Sequence, residues 1–342
     1  MSSVLVAMSG GVDSSVAAAR LVEAGHDVAG VTLKLWGGDS DSGCCSVADV
    51  EDARRVAAQL DIPHYVFNLT DAFTNSVVEP YVTSHTAGET PNPCVECNRA
   101  IKFGVLLDRA SALGFDTVAT GHHARVARDA NGSHRLLRGA DRAKDQSYVL
   151  YMLGQRELVR VWLPVGELTK AAVRAEAARL GLRTAAKPES MDVCFITRGD
   201  RTRFLAERTE LVGGPIIDAA GTVIGDHDGY ARFTVGQRRG LGIAAGDRRY
   251  VVDVDPGRAT VTVGTRDDLL RSDVVVRDLR FCYEPPTPGA PVVVQTRAHG
   301  TPVPASLDGD LVRFDWPQPR VAPGQVVAFY DGDVVLGGGI AA

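Results

Sequence analysis

The chain has 342 residues, 45% of them hydrophobic and 23% charged, which excludes wholesale disorder and calls for two or three domains. Its net charge of −5 excludes a general nucleic-acid coat, though not a cationic face. No apolar run approaches the roughly 18 to 20 residues of a membrane span, and the start does not read as a signal peptide, so a cytoplasmic protein without a membrane partner is expected. Six cysteines, Cys44, Cys45, Cys94, Cys97, Cys194 and Cys282, are too few for a disulfide framework and read as core, metal or catalytic residues.

Residues 4–7 form a short apolar run that predicts a buried strand, followed by a Gly/Ser loop and an Ala-rich helical stretch at 16–24. A second strand is predicted over 28–35, a helix over 49–60, a third strand over 64–68, a helix over 101–113 and a fourth strand over 117–120. Gly121-His122-His123 stands at the carboxyl end of that strand. Strands alternating with helices predict an α/β domain with a doubly wound parallel sheet, and such sheets hold ligands at the carboxyl ends of their strands. Residues 169–180 open with Thr and stop at Gly181, a helix with both signals. Beyond about residue 200, short apolar runs at 250–254, 260–263, 292–296 and 326–330 alternate with Gly, Pro and Asp turns, an all-β pattern. The expected division is 1–200 for the α/β domain, 201–267 for a small β-rich domain and 268–342 for a C-terminal β-barrel.

Ser9-Gly10-Gly11-Val12-Asp13-Ser14-Ser15 lies between the first strand and its helix. Glycines let the backbone approach an anion, hydroxyls donate, and a helix N-terminus adds exposed N–H groups and a favourable dipole. No Gly-Lys-Ser/Thr follows, so this is not the kinase-type P-loop; the plain alternative is a turn that caps a helix with Asp13. The string resembles the loop of the N-type ATP pyrophosphatases, the PP-loop superfamily. That resemblance implies ATP cleaved between its α- and β-phosphates, with Ser9, Gly10, Gly11, Asp13 and Ser14 holding the pyrophosphate end and Ala7, Met8 and Val12 completing the ATP-binding stretch. Asp13 would help to place Mg²⁺, and Leu33 and Gly121 would sit beside the adenosine.

Cys94-Val95-Glu96-Cys97 follows Thr90-Pro91-Asn92-Pro93, and Cys194 lies far downstream before Phe195-Ile196. C-x-x-C alone reads as a redox pair, half of a zinc site or two core thiols. A zinc site needs four ligands, and no second C-x-x-C exists. The strings TPNPCVECNRAIKFG, GHHAR (121–125), KDQSYVLY (144–151), CFI (194–196) and GQRRGLGI (236–243) run in order through nearly the whole chain. Together they resemble the tRNA-specific 2-thiouridylase family.

The family implies ATP-dependent transfer of sulfur to the wobble uridine (U34) of tRNA, an RNA-binding transferase activity. Adenylation of the uridine oxygen makes a leaving group that a sulfur nucleophile replaces, and a cysteine suits the sulfur step because its thiolate is a strong nucleophile and can carry a persulfide. On the family pattern Cys97 is the nucleophile and Cys194 the persulfide carrier, joined in a transient disulfide bond. Cys94 stands where many members carry Asp. Cys94, Cys97 and Cys194 can alternatively be read as three ligands of a [4Fe–4S] cluster, thiolates being its usual ligands, and the two readings stand side by side. A small-molecule synthetase with the same loop is the remaining rival.

The family further implies tRNA contacts at Asn92, Pro93 and Cys94, beside a base flipped from its stack. It also places contacts at His122, Lys144, Asp145, Gln146, Arg297 and Gln325. Ala298 falls where an aromatic residue commonly accompanies the Arg, and it cannot stack. Acceptors for Lys, Glu and Gln are the expected tRNAs, and a cysteine desulfurase or sulfur-relay protein the expected donor. Between Asp228 and Tyr250 five arginines face two aspartates, with Arg198, Arg201, Arg203 and Arg208 just upstream; a strip tracking phosphates is expected there. Cys282, Trp36, Trp162 and Trp316 are expected to serve packing.

Overall fold

A computed structural model of the chain describes residues 1–36, 46–188, 193, 195–196, 201–243, 247–298 and 300–342. Cys44, Cys45, Cys194 and Arg198 lie outside the described residues.

The strands, in chain order, are β1 (Ser3–Ala7), β2 (Asp27–Lys34), β3 (His64–Asn68), β4 (Thr117–Thr120), β5 (Ala124–Arg128), β6 (His134–Arg138), β7 (Val161–Trp162), β8 (Gly214–Ile217), β9 (Val223–His227), β10 (Tyr250–Asp255), β11 (Thr260–Gly264), β12 (Leu270–Phe281), β13 (Ala290–Gln295), β14 (Val303–Asp308), β15 (Leu311–Pro319), β16 (Val326–Asp331) and β17 (Val334–Ala341). The first sheet runs β3-β2-β1-β4-β7, and every pairing in it is parallel. Strands buried on both faces read as unbroken apolar runs; Val4, Leu5 and Val6 are fully buried. Helix α1 (Val12–Glu23) follows β1 and helix α2 (Val47–Gln59) precedes β3. Chain order reverses between β1 and β4, so the crevice beyond their carboxyl ends is the switch point where such sheets take ligands.

A second, four-stranded sheet, β10-β11-β8-β9, packs Ile216, Val251, Val261 and Val263 against Tyr230 and Phe233. Strands β12 to β17 close a six-stranded antiparallel barrel, with β12 pairing both β15 and β17. The hairpin β5–β6 extends this barrel sheet, Leu137 of β6 pairing with Val334 of β17. Residues well inside the N-terminal part thus add two strands to the C-terminal sheet.

Packing accounts for most of the residues expected to pack. Cys282 is buried and its thiol lies 3.2 Å from the Tyr151 carbonyl, and burial pushes its pKa up to about 12. Trp36 leans on Phe195 and Phe204 and lies under the Arg208 guanidinium, and Trp162 meets the edge of His26. Trp316 departs from the expectation: it is 52% exposed on β15. Among the described residues no helix is long and apolar enough to cross a membrane.

Candidate active site

The loop after β1 is shaped by close backbone approaches. Gly10 has φ +71°, and a Cβ there would meet the Asp49 carbonyl oxygen at 2.3 Å. Only glycine lets the first turn of α2 close over the loop. Ser46 caps α2, accepting from the Asp49 N–H at 3.1 Å. Within the loop the Ser9 N–H donates to Ser14 Oγ at 3.2 Å, and the Ser15 hydroxyl donates to the Gly11 carbonyl at 2.8 Å. Met8 and Val12 are buried beneath, and Ala7 ends β1. Leu33 is buried near the end of β2. Gly121 comes up behind α1, where a Cβ would sit 2.6 Å from the Ser14 nitrogen. The expected ATP residues therefore gather at the switch point between β1 and β4.

Asp13 lies in the first turn of α1. His123 Nε2 stands 3.1 Å from its Oδ1, and Lys170 Nζ donates to both oxygens at 2.7 and 2.6 Å. Burial alone would raise the Asp13 pKa, but the His123 and Lys170 contacts outweigh it and hold the carboxyl below its usual value. Lys170 escaped the sequence reading. It starts the helix Lys170–Arg179, whose Thr169 cap was legible, yet a pairing across 157 residues leaves no local pattern.

Asn92, Pro93, Cys94 and Cys97 belong to one helical run that starts eight residues earlier than the sequence predicted. The Asn92 side chain accepts from the Cys94 N–H at 3.1 Å and Pro93 fills the first position, the usual cap chemistry. An α-helical turn Pro93–Glu96 leads into a π-helical stretch Cys97–Val105 and then the α-helix Leu106–Ala112. Cys94 is half-buried and Cys97 buried. Cys97 packs in an apolar cluster with Phe73, Ile101, Phe195 and Phe204, and Val193 and Ile196 pack against it. Both sequence neighbours of Cys194 thus join the cluster that holds Cys97.

The remaining expected tRNA residues divide sharply by environment. His122 is buried, its Nδ1 2.7 Å from Thr120 Oγ1 and its ring beside Phe103; burial holds its pKa well below the ordinary value. Asp145 is also buried, 3.0 Å from Arg138 Nη1 and accepting from the Gly139 and Ser147 N–H groups. Gln146 is exposed, yet exchanges bonds with His123: its Oε1 accepts the His123 N–H, and its own N–H donates to the His123 carbonyl, both at 2.9 Å. Lys144 is half-exposed and Arg297 exposed. Gln295 donates to the Arg297 and Ala298 carbonyls and accepts from Arg138. Gln325 donates its side-chain amide to the Thr90 carbonyl. A cleft of about 500 Å³ in the second sheet's domain is lined by Arg238, Arg248, Arg249 and Asp247, which brings together three of the five arginines between Asp228 and Tyr250 and none of those just upstream.

Comparison with known proteins adds three family matches in chain order. Residues 2–198 match the tRNA methyl transferase HUP domain, 202–265 the tRNA methyl transferase PRC-barrel domain and 271–341 the aminomethyltransferase beta-barrel domain. A tRNA-specific 2-thiouridylase MnmA of Chloroflexus aggregans is 51% identical over 351 residues, covering 99% of this chain and 98% of the relative. The chain belongs to the tRNA-specific 2-thiouridylase family. Relatives of the same name from Roseiflexus castenholzii (50% identical, 99% of each chain) and Moorella thermoacetica (47% identical, 98% of each) align as completely. The first domain is accordingly of the PP-loop class, in keeping with its parallel sheet and loop.

Proposed function

We propose that this 2-thiouridylase-family chain transfers sulfur to C2 of U34 in tRNA, forming 2-thiouridine, AMP and pyrophosphate. The observation that carries the reading is the pairing of two features in one domain. A PP-loop sits at the β1/β4 switch point, and Cys97 of the helix-borne Cys94-x-x-Cys97 shares its apolar cluster with the neighbours of Cys194. A small-molecule synthetase would need the first feature and not the second.

The loop's N–H groups and hydroxyls suit the phosphates of ATP, and Leu33 and Gly121 the adenosine side. Asp13, a carboxylate held anionic beside the loop, fits Mg²⁺, which when bound would neutralise phosphate charge. The uridine oxygen attacks the α-phosphate and pyrophosphate leaves. The terminal sulfur of a Cys194 persulfide then attacks C2, and breaking the C2–O bond expels AMP. Cys97 attacks the bridging sulfur, forming a disulfide with Cys194 and freeing the thiolated base; alternatively, Cys97 releases hydrosulfide from the persulfide, and that attacks C2. In either case an external reductant resets the disulfide, and a cysteine desulfurase or relay protein supplies the sulfur. The work is placed in the cytoplasm, on tRNAs for Lys, Glu and Gln.

For tRNA, Asn92, Pro93 and Cys94 would lie beside the flipped base, with Lys144 and Arg297 as cationic contacts and the Arg238–Arg248–Arg249 cleft following phosphates. The buried His122 and Asp145 would serve this surface from within, held by Thr120 and Arg138, while the exposed Gln146 and the half-buried Gln325 would shape it through their bonds to His123 and Thr90. A second reading rests on Cys94 standing one turn before Cys97: with Cys194 these thiols would hold a [4Fe–4S] cluster, whose open iron would bind sulfide. Purified protein is incubated with ATP, Mg²⁺, unmodified tRNA and a sulfur source, either a cysteine desulfurase with cysteine or sulfide, with and without air, and the digested RNA is read by mass. Thiolation that needs Cys97 and Cys194 but survives Cys94→Ala supports the persulfide route. Thiolation only without air, lost with any of the three, supports the cluster, and no thiolation with no tRNA-dependent pyrophosphate sinks both.

A further inference from the structure

The loop Ser9-Gly10-Gly11-Val12-Asp13-Ser14-Ser15 contains no lysine. It supplies hydroxyls, backbone N–H groups and a helix N-terminus, all of which carry partial charges. A triphosphate brings several full negative charges, and its cleavage places more charge on the leaving oxygens. Kinase-type loops meet that charge with a lysine written into the motif. Here the fold brings one from elsewhere. Lys170 Nζ lies 2.6 and 2.7 Å from the two Asp13 oxygens, and its side chain is only 13% exposed. Its backbone is fixed as well: the Lys170 N–H donates to Asp141 Oδ2 at 2.9 Å, and the Thr169 hydroxyl caps the helix by accepting from the Ala172 N–H.

We propose that Lys170 is a phosphate ligand of the nucleotide site. Its ammonium neutralises Asp13 while the loop holds no nucleotide, and shifts onto phosphate oxygens when a nucleoside triphosphate enters, leaving Asp13 to the accompanying divalent cation. An ammonium with three donors on a four-carbon stem makes that exchange by rotating its terminal bonds. Asp13 keeps its orientation meanwhile, because His123 holds Oδ1 from the other side at 3.1 Å. The assignment rests on the reading of the loop as an ATP site.

The test is calorimetric titration of wild type, Lys170→Gln and Lys170→Arg with magnesium pyrophosphate, magnesium ATP and adenosine alone. Loss of a charged hydrogen bond to phosphate corresponds to about 10- to 100-fold weaker binding. Lys170→Gln should show that loss for pyrophosphate and ATP while adenosine stays within about twofold, and Lys170→Arg should recover part of it. Unchanged pyrophosphate affinity in a folded Lys170→Gln overturns the proposal, and so does an equal loss for adenosine, which would mean that Lys170 only shapes the loop. Should Lys170→Gln not fold, the wild-type lysines are ¹³C-dimethylated and the Lys170 signal assigned by its absence in Lys170→Arg. That signal must move with pyrophosphate and not with adenosine; one indifferent to both overturns the assignment. A wild-type protein that binds neither pyrophosphate nor ATP sinks the ATP-site reading itself, a result distinct from either.

Discussion

The side-chain amide of Gln325 donates to the carbonyl oxygen of Thr90, 235 residues away in sequence. Thr90 is also held by its own N–H, which donates to the Pro323 carbonyl at 2.7 Å, and by its hydroxyl, 3.2 Å from that of Thr234. Beside it Glu89 receives both terminal nitrogens of Arg277 at 2.7 Å. The segment that leads into Asn92, Pro93 and Cys94 is thus fixed by groups from the β-rich part and from the barrel. Its position depends on the assembly of all three sheets.

If Gln325 acts through Thr90 rather than on tRNA, Gln325→Ala should lower kcat for thiolation about tenfold, the equivalent of one lost hydrogen bond. The tRNA KM should change less than about threefold. A KM effect with kcat intact would instead place Gln325 against the RNA.

Gly10→Ala should abolish tight ATP binding. The left-handed backbone alone costs an Ala residue about 1 to 2 kcal/mol, and its Cβ would stand 2.3 Å from the Asp49 carbonyl. Relief requires moving either the loop or α2, so a calorimetric ATP affinity at least about tenfold weaker is expected. Wild-type affinity in this variant would mean that the loop is not shaped for the nucleotide.

The phosphate loop and its sheet were legible because buried parallel strands are short apolar runs and the Gly/Ser string sits between strand and helix. The hairpin β5–β6 carries its turn signal at Asn131-Gly132, but no local pattern says that Leu137 pairs with Val334 of the barrel. The helix through the cysteines starts eight residues before the predicted Ile101, because its first turn is set by the Asn92 cap and by Pro93 rather than by apolar spacing. Lys170 had no such signal. Its meaning lies in a partner 157 residues away, which only the packing of the helix Lys170–Arg179 against α1 reveals.

His85 sets an acid limit on stability. It is 1% exposed, and burial, helped by the nearby Arg201 charge and only partly opposed by a backbone hydrogen bond at Ala231, lowers its pKa to about 4. Between that value and the ordinary 6.5 the unfolded chain binds more protons than the folded one, so stability is full above pH 6.5 and falls toward pH 4. The full span corresponds to about 3 kcal/mol. His85→Phe, which keeps the edge contact with Tyr81, should flatten the denaturation midpoint over that range; an unchanged pH slope would remove His85 from this role.

Asp145 was expected to touch tRNA, yet its carboxylate is spent inside the protein. Arg138 lies between Asp145, Gln295 and the face of Tyr330, 3.5 Å from the ring centroid, and Ser147 links Asp145 to the Tyr330 hydroxyl. Two strands' worth of barrel contact, and the Arg297–Ala298 carbonyls held by Gln295, hang on this buried pair. Removing one partner of a buried ion pair typically costs about 3 to 5 kcal/mol, so Asp145→Ala should lower the denaturation midpoint strongly. Arg138→Met alone should do the same, and the double variant should lose less than the two single losses combined. Additive losses, or a stable Asp145→Ala that fails only in tRNA binding, would return Asp145 to the RNA surface.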